Sequence, residues 1–374
     1  MRIFAEHKKT AQTTRSTQRT LTKTPASPWS SIPSPIDSDS VTPVALIIMN
    51  TDLSTQYRRH EQKKNSVRTH ENFDEEYHLE QDDNDAIPKG EVRLLDVYEY
   101  RQSYGYLSIA FSILQTIILV LMMVKCGIAP IRINPMVGPY PDALSNWGAK
   151  NSASILEDGE SWRLLSPMFL HAGLIHLAGN VAAQLETGVF FEREWGSTIW
   201  LIIYLTSTVG ATIVSTCIMP NVLSVGSSGA IMGIFGAKIS EIFCRCCESR
   251  LTVQQKVGHA MRKHQLAEAL GGAIIVMLFS FIPFVDWASH LGGLVTGMTV
   301  GLMIFSCYVE SMVWRCIWFV TGLGLTIVLF VTSLTYMYHD VEPAERMRDV
   351  CGYYQEFFDG YECTCPMYAW GANE

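Results

Sequence analysis

Charge is what this sequence has least of. Asp, Glu, Lys and Arg make up 17% of its 374 residues, against about 25% in a soluble domain. The shortage is uneven. Roughly the first 100 residues are polar, whereas residues 104–338 are mostly apolar, so a polar arm precedes a membrane body. The net charge of −8 is not diagnostic, because the acids cluster around Asp74–Asp85 in that arm. No long basic stripe with interleaved aromatics is present, which argues against a nucleic-acid partner. No His-Glu-x-x-His accompanies the histidines, so a zinc protease of that kind is not expected. The tail cysteines lack an evident fourth ligand for structural zinc. No inverted repeat or paired intramembrane charge marks a transporter. No metal or cofactor is expected.

What is present begins with a disordered arm. Residues 1–43 are rich in Ser, Thr, Pro and Arg/Lys and bury too little to fold. They read either as a mitochondrial-type presequence or as a solvated cytosolic arm, and Met49 is an alternative start. Residues 52–101 carry dense mixed charge and no catalytic motif. The whole of 1–101 is therefore assigned as a largely disordered cytosolic arm.

A membrane helix needs about 20 apolar residues. Spans are expected near Tyr104–Ile128, Pro167–Phe190, Ser197–Met219, Ser228–Phe243, Ala267–Val285, Trp287–Tyr308 and Val313–Tyr336. A long first loop covers about 129–166. The second and fourth spans are marginal, because Gly, Ser and His dilute them. The chain is thus expected to be an all-α polytopic membrane protein. Arg245, Arg250, Lys256, Arg262 and Lys263 put the loop after the fourth span in the cytosol, and Arg315 falls on the same side. Arg132, Lys150 and Arg163 run against that rule but are fewer. Seven spans then leave the N-terminus inside and residues 339–374 outside.

The ten cysteines divide by side. Cys244, Cys246 and Cys247 form an inner juxtamembrane cluster, either palmitoylated or free. Cys351, Cys363 and Cys365 lie in the outer tail, where disulfides are allowed. Cys363 and Cys365 are too close for an easy mutual bridge, so Cys351 pairs with one of them. The remaining thiol is left to find Cys126 or Cys217.

Ser228 stands in Gly226-Ser227-Ser228-Gly229 at the start of the fourth span. A glycine-flanked serine at a loop-to-helix junction is placed to act as a nucleophile, but it needs a base. His290, opening the sixth span in His290-Leu291-Gly292-Gly293, is the best candidate. Gly229-x-x-x-Gly233, with Gly236, and Gly293-x-x-x-Gly297-x-x-x-Gly301 are small-residue stripes that let two membrane helices approach closely. Unpaired N–H groups around Ser228 would serve an oxyanion, with a second set from His176 and Asn180, four apart on one helix face. His171 points away from His176 and reads as structural, anchoring the first loop. Asp286, four before His290, either orients it or is an ordinary helix-end carboxylate.

In combination, these residues resemble the rhomboid family of intramembrane serine proteases. Asn134-Pro135-Met136-x-Gly138-Pro139, Leu144 and Gly148-Ala149 are similar to the first-loop entry of eukaryotic secretory-pathway members. Trp162-Arg163 resembles the loop's Trp-Arg pair. Phe169-Leu170-His171-Ala172 through His176 and Asn180 resembles the family's second span. Glu192-Arg193-x-Trp195-Gly196 followed by Tyr204 resembles the lead into the third. Gly226-x-Ser228-Gly229 and His290-Leu291-Gly292-Gly293 complete a match over about residues 100–308.

The resemblance implies a six-helix catalytic core over 102–308, a seventh membrane helix over 309–338 and a Cys-containing luminal or extracellular tail over 339–374. It implies a Ser228–His290 dyad without a required acid. His176, Asn180 and the Ser228 N–H would serve the oxyanion, in a polar cavity open to the outside. Trp162, Arg163, His171, Gly226, Gly229, Gly293 and Gly297 would be structural. Substrates would be single-span membrane proteins in the bilayer, cleaved where their helix unwinds near a small residue. An extra span after the core matches secretory-pathway members of animals and protists, which weakens the presequence reading and favours the plasma membrane or Golgi and endosome. The alternative is a catalytically inactive relative that binds and escorts membrane proteins. Dead members commonly lose the serine or histidine, or carry a bulky residue where this chain has Ser227. Neither the oligomeric state nor the role of the arm is legible.

Overall fold

The structure is a computed structural model that describes residues 100–246, 253–280, 285–363 and 365. The arm expected over 1–101 lies outside the described residues except for its last two positions, as do Cys247 and Arg250. Among the described residues the fold is entirely helical, apart from one isolated antiparallel bridge between Lys150 and Ser224.

The polarity of the first helix, α1 (Tyr106–Cys126), is inside-out. Its buried residues are Ser108, Ser112, Gln115, Leu119, Met122 and Cys126, at helical spacing. Its exposed residues include Ile109, Ile113, Ile117, Val120 and Val124. A polar stripe facing protein and an apolar face turned out belong in lipid, not water. Ser112 and Gln115 meet Gln184 at 2.8 and 3.3 Å, and Tyr204 donates to Gln184 at 2.6 Å. Each buried polar group here therefore has a partner, as a low-dielectric interior requires.

The first loop carries two short helices, α2 (Pro141–Asn146) and α3 (Ser152–Leu156), and 3-10 turns at Ser161–Leu164 and Ser166–Phe169. The second membrane segment was expected from Pro167. Its helix instead begins at α4 (Leu174–Ala183), passes through a π-helical turn at Gln184–Gly188 and continues as α5 (Val189–Trp195). The late start has a physical cause. The first loop caps it, because the Leu174 and Ile175 N–H groups donate to the Val137 and Met136 carbonyls at 3.0 and 3.2 Å. Those donors would otherwise be orphans. Glu192 on α5 does the same for α1, accepting from the Leu107 and Ser108 N–H groups at 2.9 and 2.8 Å.

Five long helices follow among the described residues, with α6 (Ser197–Ile218) and α7 (Ser228–Arg245) the first two. Next comes α8 (Val253–Phe279), which starts well before the expected Ala267 and carries the basic stretch on a helix, not in a loop. Then α9 (Trp287–Ser306) and α10 (Met312–His339) complete the bundle. By length and composition α1, α6, α9 and α10 suffice to cross a membrane. The bundle centre is α7 against α9 and α6, with nearly all of α7 buried. On α10 only Gly322 and Met337 are buried, so this helix lies at the periphery. At the Arg245 end of α7, buried Lys238 bridges Glu194 and Glu241 at 2.7 and 2.9 Å, compensating a charge that could not stay buried alone.

The tail forms a clasp over the first loop. It consists of a 3-10 turn and α11 (Val350–Phe357). Disulfides join Cys126 to Cys365 and Cys351 to Cys363, with Cα separations of 5.0 and 5.8 Å. Cys217 instead donates its thiol to the Ser333 carbonyl at 3.3 Å. Tyr361 bonds Asp142 at 2.5 Å, and Asn151 donates to the Met347 carbonyl at 2.7 Å. Of the inner cysteines, Cys244 is buried and Cys246 exposed.

Candidate active site

Close backbone contact between α7 and α9 sets the site. A Cβ added at Gly293 would lie 1.9 Å from the Gly229 carbonyl oxygen, and one at Gly297 would lie 1.9 Å from that of Gly233. Any side chain at either position would push the helices apart. With nothing between them, the first turns of α7 and α9 meet. Ser228 Oγ lies 2.6 Å from His290 Nε2. His290 is buried, and Ser228 is half-buried. A hydroxyl this close to an imidazole nitrogen is arranged for proton transfer in the tautomer that leaves that nitrogen bare.

Gly226 makes room for the second histidine. Its φ is +120°, a region that L side chains rarely adopt, and a Cβ there would stand 2.8 Å from the His176 ring. Its N–H is fixed by the Pro167 carbonyl at 2.9 Å. On the other side of the His176 ring, the Ala172 N–H donates to Nδ1 at 3.4 Å. Nδ1 is thus an acceptor, which leaves the proton on Nε2 and points a donor toward the Gly226–Ser228 turn. Asn180 sits beside the same turn. Its Oδ1 accepts from Ser227 Oγ at 3.1 Å, and its Nδ2 donates to the His176 carbonyl at 2.9 Å. The small residue at 227 is therefore a hydrogen-bond partner as well as a slim one.

Asp286 hydrogen-bonds His290 only through its backbone carbonyl, which accepts from the His290 N–H at 3.2 Å. Its carboxylate caps α9, accepting from the Ala288 and Ser289 N–H groups at 3.0 and 3.1 Å. It also accepts from Ser215 and stands 3.9 Å from Lys150 Nζ. The group on His290 Nδ1 is Ser280, at 2.6 Å. Ser280 closes α8 and was not singled out in the sequence. Its signal would have been a hydroxyl at the end of the helix that precedes the histidine.

The first loop braces this region. Arg163 donates to the Ser145 and Ala149 carbonyls at 2.6 and 3.0 Å and lies over the Trp162 ring at 4.7 Å. Asn134 donates to the Ala172 carbonyl at 2.6 Å, which holds the loop to the segment beside His171. His171 does not point away from His176 as expected: it lies before α4 begins, outside the helix-face rule, and is fully buried with its ring edge-on against His176 at 5.4 Å. Lys150 donates to the Met219 and Val222 carbonyls at 2.7 and 2.9 Å. Burial pushes the Lys150 ammonium down to about 8, against the opposing pull of Asp286.

A small pocket beside Gly226 and Gly229 is lined by Thr208, Thr212, Ser215, Ser224, Ser289 and Lys150, together with Pro167, Met168, Ala211 and Ala230. Its hydroxyls and the Lys150 ammonium supply the polar partners that a water there needs.

Fold and site together define a multi-pass membrane protein with a serine and a histidine in contact at one end of the bundle. Residues 158–307 match the rhomboid domain model. The chain is 32% identical over 178 residues to RHOMBOID-like protein 6, mitochondrial, of Arabidopsis thaliana, covering 47% of this chain and 54% of that one. It is 31% identical over 180 residues to Rhomboid-like protease 1 of Toxoplasma gondii, covering 47% and 58%. It is also 26% identical over 163 residues to Inactive RHOMBOID-like protein 8 of Arabidopsis thaliana, covering 44% of each. The chain spans about half the length of the curated relatives it matches.

Proposed function

We propose that this chain is an intramembrane serine endopeptidase that cleaves transmembrane segments of single-span proteins. The observation that carries the reading is the 2.6 Å contact between Ser228 Oγ and His290 Nε2. In this mechanism Ser228 attacks a peptide carbonyl while His290 Nε2 takes its proton. The oxyanion accepts from the Ser228 N–H at the α7 terminus and from His176 Nε2–H. Asn180 adds its Nδ2 once the oxyanion competes for it with the His176 carbonyl. His290 then protonates the leaving amine, and the acyl-serine is hydrolysed by water drawn from the hydroxyl-lined cavity. Trp162, Arg163 and His171 act by holding the first loop. Gly226, Gly229, Gly293 and Gly297 act by permitting contact.

The catalytic end faces the lumen or the cell exterior in this reading. Both disulfides lie at that end, and such bonds persist in oxidising compartments. Arg245, Arg262 and Lys263 fall toward the other end, which favours a cytosolic N-terminus. A secretory-pathway or plasma-membrane address follows, as does kinship with secretory-pathway rhomboids having an extra span after the core.

The test is cleavage of a single-span reporter by purified full-length protein in proteoliposomes. Wild type cleaves; Ser228→Ala and His290→Ala do not. Full activity in Ser228→Ala would sink the mechanism. A wild type that binds the reporter without cutting it would group this chain with the inactive relatives.

A further inference from the structure

The imidazole of a serine hydrolase works only in one tautomer. Nε2 must be free to accept the serine proton, so Nδ1 must carry the other proton and needs an acceptor for it. The acceptor is usually a carboxylate. Here Asp286, the nearest acid in sequence, is committed to the α9 cap, Ser215 and Lys150. The atom on His290 Nδ1 is the Ser280 hydroxyl, at 2.6 Å and buried.

We infer that Ser280 is a positioning residue for His290, its Oγ accepting from Nδ1–H and holding the imidazole in the tautomer that can take the Ser228 proton. A serine has one proton to give and two lone pairs. The Val276 carbonyl, one turn back on α8, stands 3.3 Å from Ser280 Oγ and can only accept. Giving its proton there leaves Ser280 an acceptor toward His290. The opposite arrangement would turn Nε2–H toward Ser228 and leave the serine without a base. The bonds thus form one chain, from Ser228 to His290 to Ser280 to Val276, with a hydroxyl where other hydrolases place an acid. The Ser280 N–H, bonded to the Met277 carbonyl at 3.1 Å, keeps the residue on the last turn of α8. Ser280 thereby ties the histidine on α9 to a neighbouring helix as well as to Ser228.

The inference rests on the protease reading, so its test has one arm that needs no turnover. Full-length protein is labelled with ring-¹⁵N histidine, and the His290 signals are assigned by difference from His290→Gln. Wild type is expected to show a protonated Nδ1 and a bare Nε2, and Ser280→Ala a mixture of tautomers. In the kinetic arm, Ser280→Ala lowers kcat about tenfold to a hundredfold, the size of loss seen when a group that orients a metal-ligating histidine is removed. KM and the thermal midpoint stay unchanged. Ser280→Thr, which keeps the hydroxyl, returns kcat to within a few-fold of wild type. An unchanged tautomer in Ser280→Ala overturns the assignment, whatever happens to kcat. So does wild-type kcat in Ser280→Ala. A wild type that neither cleaves nor labels with a fluorophosphonate defeats the protease reading alone, and the spectrum still decides Ser280.

Discussion

Gly293 and Gly229 touch backbone to backbone, and a methyl group at Gly293 would fall 1.9 Å from the Gly229 carbonyl oxygen. That contact lies about one turn from the Ser228–His290 pair, so helix spacing and dyad spacing are one variable. Gly293→Ala is expected to cost about 1–3 kcal/mol through overpacking and to lower kcat more than KM, because the helices must part. Gly324, where a Cβ meets nothing, is the control, and Gly324→Ala should leave both unchanged. Equal effects at the two positions would show that the close contact is not what matters.

His176 and Asn180 separate by chemistry. His176→Ala removes a donor beside the Gly226 turn, and Asn180→Ala also frees Ser227 Oγ. Each is expected to lose about tenfold to a thousandfold in kcat on a transmembrane reporter. Fluorophosphonate labelling of Ser228 should be retained, if slowed. Unchanged turnover in Asn180→Ala would remove it from the oxyanion site.

Lys150 gives a pH signature outside the membrane segments. The unfolded chain keeps this proton to about pH 10.5, the folded protein only to about 8. Between those values the unfolded state binds more protons, so stability rises with pH, by on the order of 1 kcal/mol per unit at most. Wild type should gain thermal stability over Lys150→Met as pH climbs from about 8 to about 10, with no trend below 8. A difference that stays flat across that window would mean that Lys150 is not held as a costly buried charge.

Asp286 tests whether an acid is needed. Asp286→Asn keeps a capping oxygen and should retain most activity. Asp286→Ala should lower the thermal midpoint, losing about 1 kcal/mol of cap and stranding Lys150. If Asp286→Asn instead abolished turnover while leaving the midpoint intact, the carboxylate would have a role that its contacts do not reveal.

Much of the fold was legible because membrane helices announce themselves, and the approach of Ser228 to His290 because each stands at the start of a helix that carries a glycine stripe. The glycine stripes carry their meaning in spacing, since i, i+4 places residues on one face. The Leu174 start was not legible. It depends on Met136 and Val137 folding back from the first loop to cap it, a contact between segments far apart in sequence. The early start of α8 was hidden by its charged first half, which reads as a loop. Ser280 was hidden because a lone serine after an apolar run carries no pattern. Only the packing of α8 against α9 brings it to Nδ1. Lys150 was misleading in a different way. It counted against the charge rule for outer loops, yet it is buried among carbonyls and beside Asp286, not lying free at the membrane surface.

The Cys126–Cys365 bridge carries a consequence for biosynthesis. Cys126 ends the first helix, and Cys365 follows α10 in chain order. In the secretory-pathway reading proposed above, the bond waits until α10 has been inserted and Cys365 has reached the oxidising side. Until then the first loop lacks its clasp. Newly made chains should pass through a stage in which the bundle is assembled but unlatched, visible as a reduced species on non-reducing gels after a short pulse label.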